Sequence, residues 1–295
     1  MKIIFAGCGS AFTTEEYYQS NAIVQAPSGK RLLVDCGSDI RFSLGKLGLD
    51  ARNIDAVYIS HLHADHIGGM EYLAFVRYFT NKPGDPRPML FCVPELMKEL
   101  WDKSLRGGLE SLEEKVLTLD DYFECMPVPI NDSFYWEDII FTPVQTVHIM
   151  SGYKITNSYG LMIQKCKEIR WGLRAGPISI PKAGIQVDPS TLNGPAYQVV
   201  SGVGPKVFFT TDTQFCPNQI TKFYNSASTI FHDCETAPYY SKVHAHYDDL
   251  KTLPPDVKKK MWLYHYQPNP KQDAKADGFL GFVTRGQEFE IKEKL

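Results

Sequence analysis

The chain has 295 residues, enough for one large core or two small ones, and its 43% apolar and 22% charged residues exclude a disordered chain. No run approaches the roughly 18 consecutive apolar residues of a membrane-spanning helix. The net charge of −3 leaves no overall electrostatic footprint for nucleic acid, so neither a membrane nor DNA is an expected partner.

The first segment, MKIIFAGC, has the outline of a lipoprotein leader, but its apolar run of about five residues is shorter than a leader's core of about 7 to 15. It reads as the first strand, which predicts a cytoplasmic chain. The seven cysteines agree with that: the number is odd, none are spaced Cys-x-x-Cys, and they lie in apolar segments as free, buried thiols. KIIFAG, NAIVQAP, RLLVDCG and DAVYIS are predicted strands bounded by turn residues. SDIRFSLGKLGL reads as a helix through Ile40, Leu44 and Leu47. GGMEYLAFVRYF reads as a largely buried one through Met70, Leu73, Ala74 and Val76 to Phe79. MLFCVP is a strand and PELMKELWDKSL a helix. Further on, FYWEDIIFTPVQTVH, SYGLMIQK, KVFFTTD, STIFHD and KMWLYHY are strand-like, ITKFYNSAS and HAHYDDLKTL helical, and Lys258 to Lys260 form a solvated strand entry. No repeat, low-complexity tract or linker divides the chain. The expectation is one layered α/β domain over 1–295 with helices on both sheet faces. Residues 166–206, rich in Gly and Pro, are too long for an ordinary connection and read as a protruding arm or lid, or a locally packed hairpin, with Trp171 and Tyr197 as contact residues.

The chemistry is concentrated in SHLHADHIGG, residues 60–69. His61 and His63 follow a strand in extended chain, so they point the same way. Asp65 and His66 come next, at the mouth of a helix, and Gly68 and Gly69 let the backbone turn tightly beside them. These are more ligand-type groups than one tetrahedral ion takes from so short a loop, and a pair of metals is the natural reading. Imidazole and carboxylate suit zinc, manganese or iron. The remaining five of eight histidines are His148, His232, His244, His246 and His265, and several of them, with Asp35 and Asp212, end apolar strands.

The ordered set Asp35, His61-x-His63-x-Asp65-His66, His148, Asp212 and His265 resembles the metallo-β-lactamase fold superfamily over nearly the whole chain. The resemblance implies a four-layer αββα sandwich with two metals at one edge. It further implies that His61, His63 and His148 bind the first metal, that Asp65, His66 and His265 bind the second, that Asp212 bridges, and that Asp35 braces the motif loop. Two such ions bring the pKa of water from 15.7 to about 7, so that hydroxide attacks at neutral pH.

Within the superfamily, STIFHDCETAPYYSKVHAHYDDL resembles the ribonuclease Z-like, tRNA 3′-processing branch and its cyclic-nucleotide phosphodiesterase relatives. There a His-acidic pair ends one strand and a histidine beginning a later helix faces the scissile phosphate. His232-Asp233 and His244 match, which implies that Asp233 orients and charges His244 for protonation of the leaving oxygen, with His232 behind it. His244-Ala245-His246 stands where the tRNA enzymes have His-Ser-Thr, so His246 is expected to share or replace the role of His244. The arm occupies the place of a tRNA-gripping exosite without a dense basic cluster. The expected function is therefore hydrolysis of a nucleotide-type phosphodiester, a 3′,5′-cyclic nucleotide first, by a cytoplasmic enzyme with two divalent ions, zinc before manganese. Processing of tRNA 3′ ends, with RNA as the partner, is the alternative, and lactone or amide hydrolysis by the same metals a third. The resemblance also implies a homodimer.

Overall fold

The computed structural model describes residues 1–166, 177–178 and 202–292. The chain opens with three antiparallel strands, β1 (Lys2–Phe5), β2 (Ala22–Gln25) and β3 (Arg31–Val34). Helix α1 (Ile40–Lys46) then leads to β4 (Ala56–Tyr58), and α2 (Ala64–Ile67) with α3 (Met70–Thr80) leads to β5 (Met89–Cys92). Next come α4 (Pro94–Leu100), a π turn, α5 (Arg106–Leu109), the small ribbon β6 (Ser111–Leu112) and β7 (Lys115–Val116), and α6 (Leu119–Tyr122), ending in β8 (Glu124–Pro127). β3, β4, β5 and β8 are parallel, so their crossover helices cover one face of the sheet.

The second half contributes β9 (Ser133–Trp136), the long hairpin β10 (Ile139–Ser151) and β11 (Lys154–Cys166), and β12 (Pro177–Ile178). β13 (Gly202–Phe209), β14 (Thr229–Asp233), β15 (Met261–Tyr264) and β16 (Gly281–Phe282) follow in parallel, linked through α7 (Pro217–Ser226), α8 (Tyr247–Lys251) and α9 (Pro255–Lys258). The last strand, β17 (Glu288–Glu290), returns to pair with β1. Among the described residues the strands form a seven-stranded sheet in the order β17-β1-β2-β3-β4-β5-β8 and an eight-stranded sheet in the order β12-β9-β10-β11-β13-β14-β15-β16.

Period-two alternation explains how the sheets stack. Phe209, Phe231 and Tyr264 face inward, their rings 5.7, 5.0 and 5.6 Å from that of Phe5 in the first sheet. Their neighbours Phe208, Ile230 and Leu263 face outward, into a second apolar cluster with Ile220 and Tyr224 of α7 and Leu250 of α8. Phe134 and Phe91 close the other end of the interface at 4.2 Å. The layers are helices, sheet, sheet, helices: the four-layer αββα sandwich of the metallo-β-lactamase fold.

Some local expectations are corrected. α3 is amphipathic rather than largely buried: Phe79 is 66% exposed, whereas Arg77 is buried and donates to the carbonyls of Arg52, Ile54 and Pro86 at 3.0, 3.2 and 3.0 Å. Arg77 completes the i, i+3, i+4, i+7 stripe with Met70, Leu73 and Ala74, so the spacing places its charge on the buried face and those carbonyls satisfy it there. Lys260 is not a solvated strand entry, because its Nζ donates to the carbonyls of Tyr224 and Ala227 at the end of α7. The helix read from HAHYDDLKTL begins only at Tyr247. All seven cysteines are free; Cys8, Cys36, Cys92 and Cys234 are buried and the others half-buried. Among the described residues no helix is long and apolar enough to cross a membrane. The arm read over 166–206, with Trp171 and Tyr197, falls largely outside the described residues.

Candidate metal centre

The chemistry-bearing residues collect at the carboxyl ends of parallel strands from both sheets. Asp35 follows β3, the 61–66 loop follows β4, Asp212 lies just beyond β13, Asp233 ends β14 and His265 follows β15. His148 lies inside β10, at the register shift between Val147 and Ile149, a bulge that re-aims one side chain out of the strand's alternation. Asp35, Thr211 and His265 have φ of 63°, 52° and 62°, left-handed conformations that cost about 1 kcal/mol or more each and concentrate at functional sites.

Two sets of donors result. In the first, Nδ1 of His63 lies 3.1 Å from Nε2 of His61 and 3.0 Å from Nε2 of His148. One nitrogen cannot satisfy both neighbours by hydrogen bonding, whereas ligands about 2.0–2.1 Å from a shared tetrahedral ion are separated by roughly 3.3 Å. In the second, Oδ2 of Asp65 is 3.3 Å from Nε2 of His66 and 3.3 Å from Nε2 of His265. Oδ2 of Asp212 stands between the sets, 3.7 Å from His61 and His148 and 3.3 and 3.5 Å from His66 and His265. Nε2 of His66 and Oδ1 of Asp212 are buried with no hydrogen-bond partner. Such orphans need an explanation, and a cation between the donors supplies one. The nitrogen and carboxylate donors, their spacing and these orphans fit divalent metal binding.

The far side of each ring is held by the protein. Asp35 accepts from Ser60 N–H and Oγ–H, both at 2.8 Å, and from His66 Nδ1 at 2.7 Å, which leaves His66 Nε2 as the lone-pair nitrogen. His148 Nδ1 donates to Val243 O at 2.9 Å. His61 Nδ1 lies 3.0 Å from Ser60 Oγ and 3.5 Å from Ser158 Oγ. Burial drives the His61 imidazole well below its ordinary pKa, helped by His66, and takes His148 to about 4. Both are neutral donors at pH 7. Burial acts against charge on His66 as well, but Asp212, Asp65 and Asp35 together hold it well above the usual range. Burial likewise opposes charge on His265, yet Asp212, Asp233 and Asp65 raise it to about 10. The carboxylates of the second set therefore call for positive charge between the donors, which a bound cation would supply in place of protons and so leave both imidazoles neutral.

His244 stands at the rim, its side chain 16% exposed and its Nδ1 2.8 Å from Oδ2 of Asp233. That oxygen also accepts from Thr213 N–H at 2.9 Å, so Asp233 is fixed before it meets the imidazole. Burial works against protonating His244, and Asp233 overcomes it to raise the pKa. His246 is arranged otherwise. Its Nε2 donates to Ala237 O at 3.0 Å, its Nδ1 accepts from Asp248 N–H at 3.2 Å as the N-cap of α8, and its ring stacks on Tyr240. Both nitrogens are thus engaged away from the cluster, so the ring is not placed with that of His244, contrary to the expectation that the two act together. His232 touches none of the clustered side chains: Nδ1 donates to Asp233 O at 2.7 Å and Nε2 accepts from Tyr224 Oη–H at 2.6 Å.

The glycines of the motif also act differently from expectation. Gly68 and Gly69 have φ of −64° and −95°, open to any residue. A Cβ on Gly68 would meet Ala64 O at 2.5 Å, and one on Gly69 would meet Gly37 O at 2.4 Å. They are required for close approach to the 36–38 loop. Ser60, Ser158 and Thr213 escaped sequence reasoning. Ser60 adjoins the motif and was open to notice, whereas Ser158 and Thr213 stand in segments with no chemical signature.

A family model described as "Anti-Pycsar protein Apyc1" matches residues 1–170 and 189–289. Similar curated proteins include Anti-Pycsar protein Apyc1 of Paenibacillus harenae, 30% identical over 99% of this chain and 100% of its own, and that of Bacillus phage vB_BveM-Goe7, 28% identical over 97% of each. Among solved structures, the metallo-β-lactamase fold protein YhfI from Bacillus subtilis is similar with a TM-score of 0.65, at 16% identity over 98% of this chain and 99% of that one. The short form of human tRNase Z is similar with a TM-score of 0.63, also at 16% identity, over 99% of this chain and 100% of that one.

Proposed function

This chain belongs to the Anti-Pycsar protein Apyc1 family, and from that premise we propose that it is a metal-dependent phosphodiesterase that degrades 3′,5′-cyclic nucleotides. The observation that carries the reading is the His244–Asp233 pair beside a doubly liganded cluster. A partly exposed imidazole whose hold on a proton Asp233 strengthens, next to two donor sets, is what a phosphodiester needs at its leaving oxygen.

In this reading His61, His63 and His148 would hold one divalent ion and Asp65, His66 and His265 the other, with the Asp212 carboxylate available to both sets. Zinc is the first choice and manganese the second, because nitrogen-rich sets of this kind suit zinc. When bound, the ions supply a water that ionises near neutral pH and a positive charge against the phosphate oxygens. Asp35 keeps His66 Nδ1 protonated and Ser60 in register, so the motif loop stays ordered. Asp65 belongs both to the ligand set and to the face on which the phosphate would lie. His244 holds its proton on Nε2, with Asp233 stabilising the cation from the Nδ1 side. That proton passes to the ribose oxygen as the P–O bond breaks. The free thiols are in keeping with a cytoplasmic chain. We also infer a homodimer, supported by the exposed Met150, Tyr153 and Ile155 on the β10–β11 hairpin beside His148; a monomeric mass by light scattering removes it.

The test is one panel on one metal-analysed sample: cyclic nucleotides, precursor tRNA and a lactone. Turnover of cyclic nucleotides, lost in His244→Ala with metal retained, is the expected result. Cleavage of precursor tRNA with cyclic nucleotides intact would make this a ribonuclease, and lactone opening with every phosphodiester intact would remove the role given to His244.

A further inference from the structure

A cleft of about 370 Å³ that the chemistry above leaves unused is walled by the loop after β14 (Thr236 to Tyr239) and the loop after β15 (Gln267 to Gln272), the two loops that follow Asp233 and His265 in the chain. We propose that this cleft is the nucleobase subsite of the substrate, with Tyr239 as its stacking platform; the proposal rests on the cyclic-nucleotide reading.

Position comes first. Both loops leave the carboxyl ends of adjacent parallel strands, the edge at which ligands of open α/β sheets bind. Gln267 is two residues beyond His265 and Thr236 three beyond Asp233, so their Cα atoms lie at most about 7 and 11 Å from the Cα atoms of those two residues. A nucleotide with its phosphate at the cluster spans that separation. The size falls in the range of about 300–1,000 Å³ usual for small-molecule sites.

The lining chemistry is that of a base site. Tyr239 is 66% exposed, a large aromatic face with no partner ring among the described residues, whereas the adjacent Tyr240 is stacked on His246. Pro238, Pro268 and Pro270 add rigid apolar walls. Of the three side-chain amides on the wall, Gln267 and Asn269 are oriented by donors from neighbouring segments. Gln267 Oε1 accepts from Thr236 N–H at 2.5 Å, which leaves its Nε2 as a donor with no partner among the described residues. Asn269 Oδ1 accepts from Tyr17 Oη–H at 3.2 Å, which leaves its Nδ2 likewise. Lys271 is a further donor. An aromatic face with several edge donors matches a planar heterocycle carrying ring-nitrogen and carbonyl acceptors. The loops are stitched together before a ligand arrives, since Gln267 N–H donates to Thr236 Oγ1 at 3.1 Å and Gln272 Nε2 donates to Thr236 O at 3.2 Å. Little ordering is left to oppose binding.

The experiment compares wild type with Tyr239→Ala and Tyr239→Phe on a 3′,5′-cyclic nucleotide and on the base-free methyl riboside 3′,5′-cyclic phosphate. Nucleoside 5′-monophosphate binding is measured by calorimetry on the same metal-loaded samples. Stacking a base on an aromatic ring is worth a factor of about 5 to 150. Tyr239→Ala should therefore lower the ratio of kcat/KM for the cyclic nucleotide to that for the base-free diester about tenfold or more, through KM, and weaken monophosphate binding to match. Tyr239→Phe should retain both. An unchanged ratio and unchanged binding in Tyr239→Ala overturn the subsite. If wild type turns over neither cyclic substrate, the functional reading fails on its own, and the binding arm still decides the cleft: weaker monophosphate binding in Tyr239→Ala supports it and equal binding overturns it.

Discussion

At the scale of single residues, the two histidines of His244-Ala245-His246 make opposite predictions. His244→Ala should lower kcat by about 10²- to 10⁴-fold, the usual worth of a positioned general acid, with metal content unchanged by elemental analysis. Asp233→Asn should act in the same direction, because it removes the charge 2.8 Å from the imidazole. His246→Ala should leave metal content unchanged and cost about 1 kcal/mol of stability in urea unfolding, through loss of the α8 cap and of the bond to Ala237 O. His246→Asn, which can still cap, should recover part of it. If His246→Ala lowered kcat as far as His244→Ala, the division of labour between them would be wrong. The two residues are the same type with one residue between them, so their sequence positions carry no information on which ring turns toward the cluster. That is decided by Asp233 on one side and by Ala237 O with Asp248 N–H on the other.

At the scale of elements, the site depends on how closely the motif loop packs on the loop after β3. A Cβ on Gly37 would meet Asp65 O at 2.1 Å, and that atom belongs to the backbone of the ligand loop. Gly37→Ala should therefore displace the 64–66 turn, weaken metal retention in competition with a chelator, and lower activity with it. Gly45 is the contrasting case: it lies within α1 with open space where its Cβ would be. Gly45→Ala should stabilise by about 0.5–1 kcal/mol, the helix preference for Ala over Gly, and leave metal retention unchanged. Equal effects of the two substitutions would mean that close packing at Gly37 is not what holds the loop. The elements themselves were largely legible. The parallel strands of the second sheet announce themselves as unbroken apolar runs, and α1 by its spacing. The bulge at His148, the start of α8 at Tyr247 and the carbonyls that receive Arg77 were not, because each depends on a partner strand or carbonyl supplied from another segment.

At the scale of the molecule, the cluster joins the two sheets, since the 61–66 loop comes from one and His148, Asp212 and His265 from the other. Stripping the metal should abolish activity and lower Tm, because a ligand held only by the folded state stabilises it in proportion to its binding; differential scanning before and after chelation measures both. A Tm that ignores chelation would mean that the donors form a cluster without binding an ion. We also propose that the two sheets unfold as one unit. Phe5 packs against Phe209, Phe231 and Tyr264 across the interface, so Phe5→Ala should cost about 3–5 kcal/mol, with fluorescence and far-UV transitions that coincide. Separate transitions would divide the chain. By itself the sequence determined the ligand types, their order along the chain and the alternation of strands and helices, because these follow from side-chain chemistry and from local periodicity. The resemblance already implied the division of the ligand-type side chains into two sets sharing Asp212; only the tertiary structure decided which ring nitrogen of each histidine faces inward and which of His244 and His246 stands at the rim. Those properties arise when strand ends far apart in sequence, from Asp35 to His265, are brought within hydrogen-bonding distance, where burial and neighbouring charge make chemically identical side chains different.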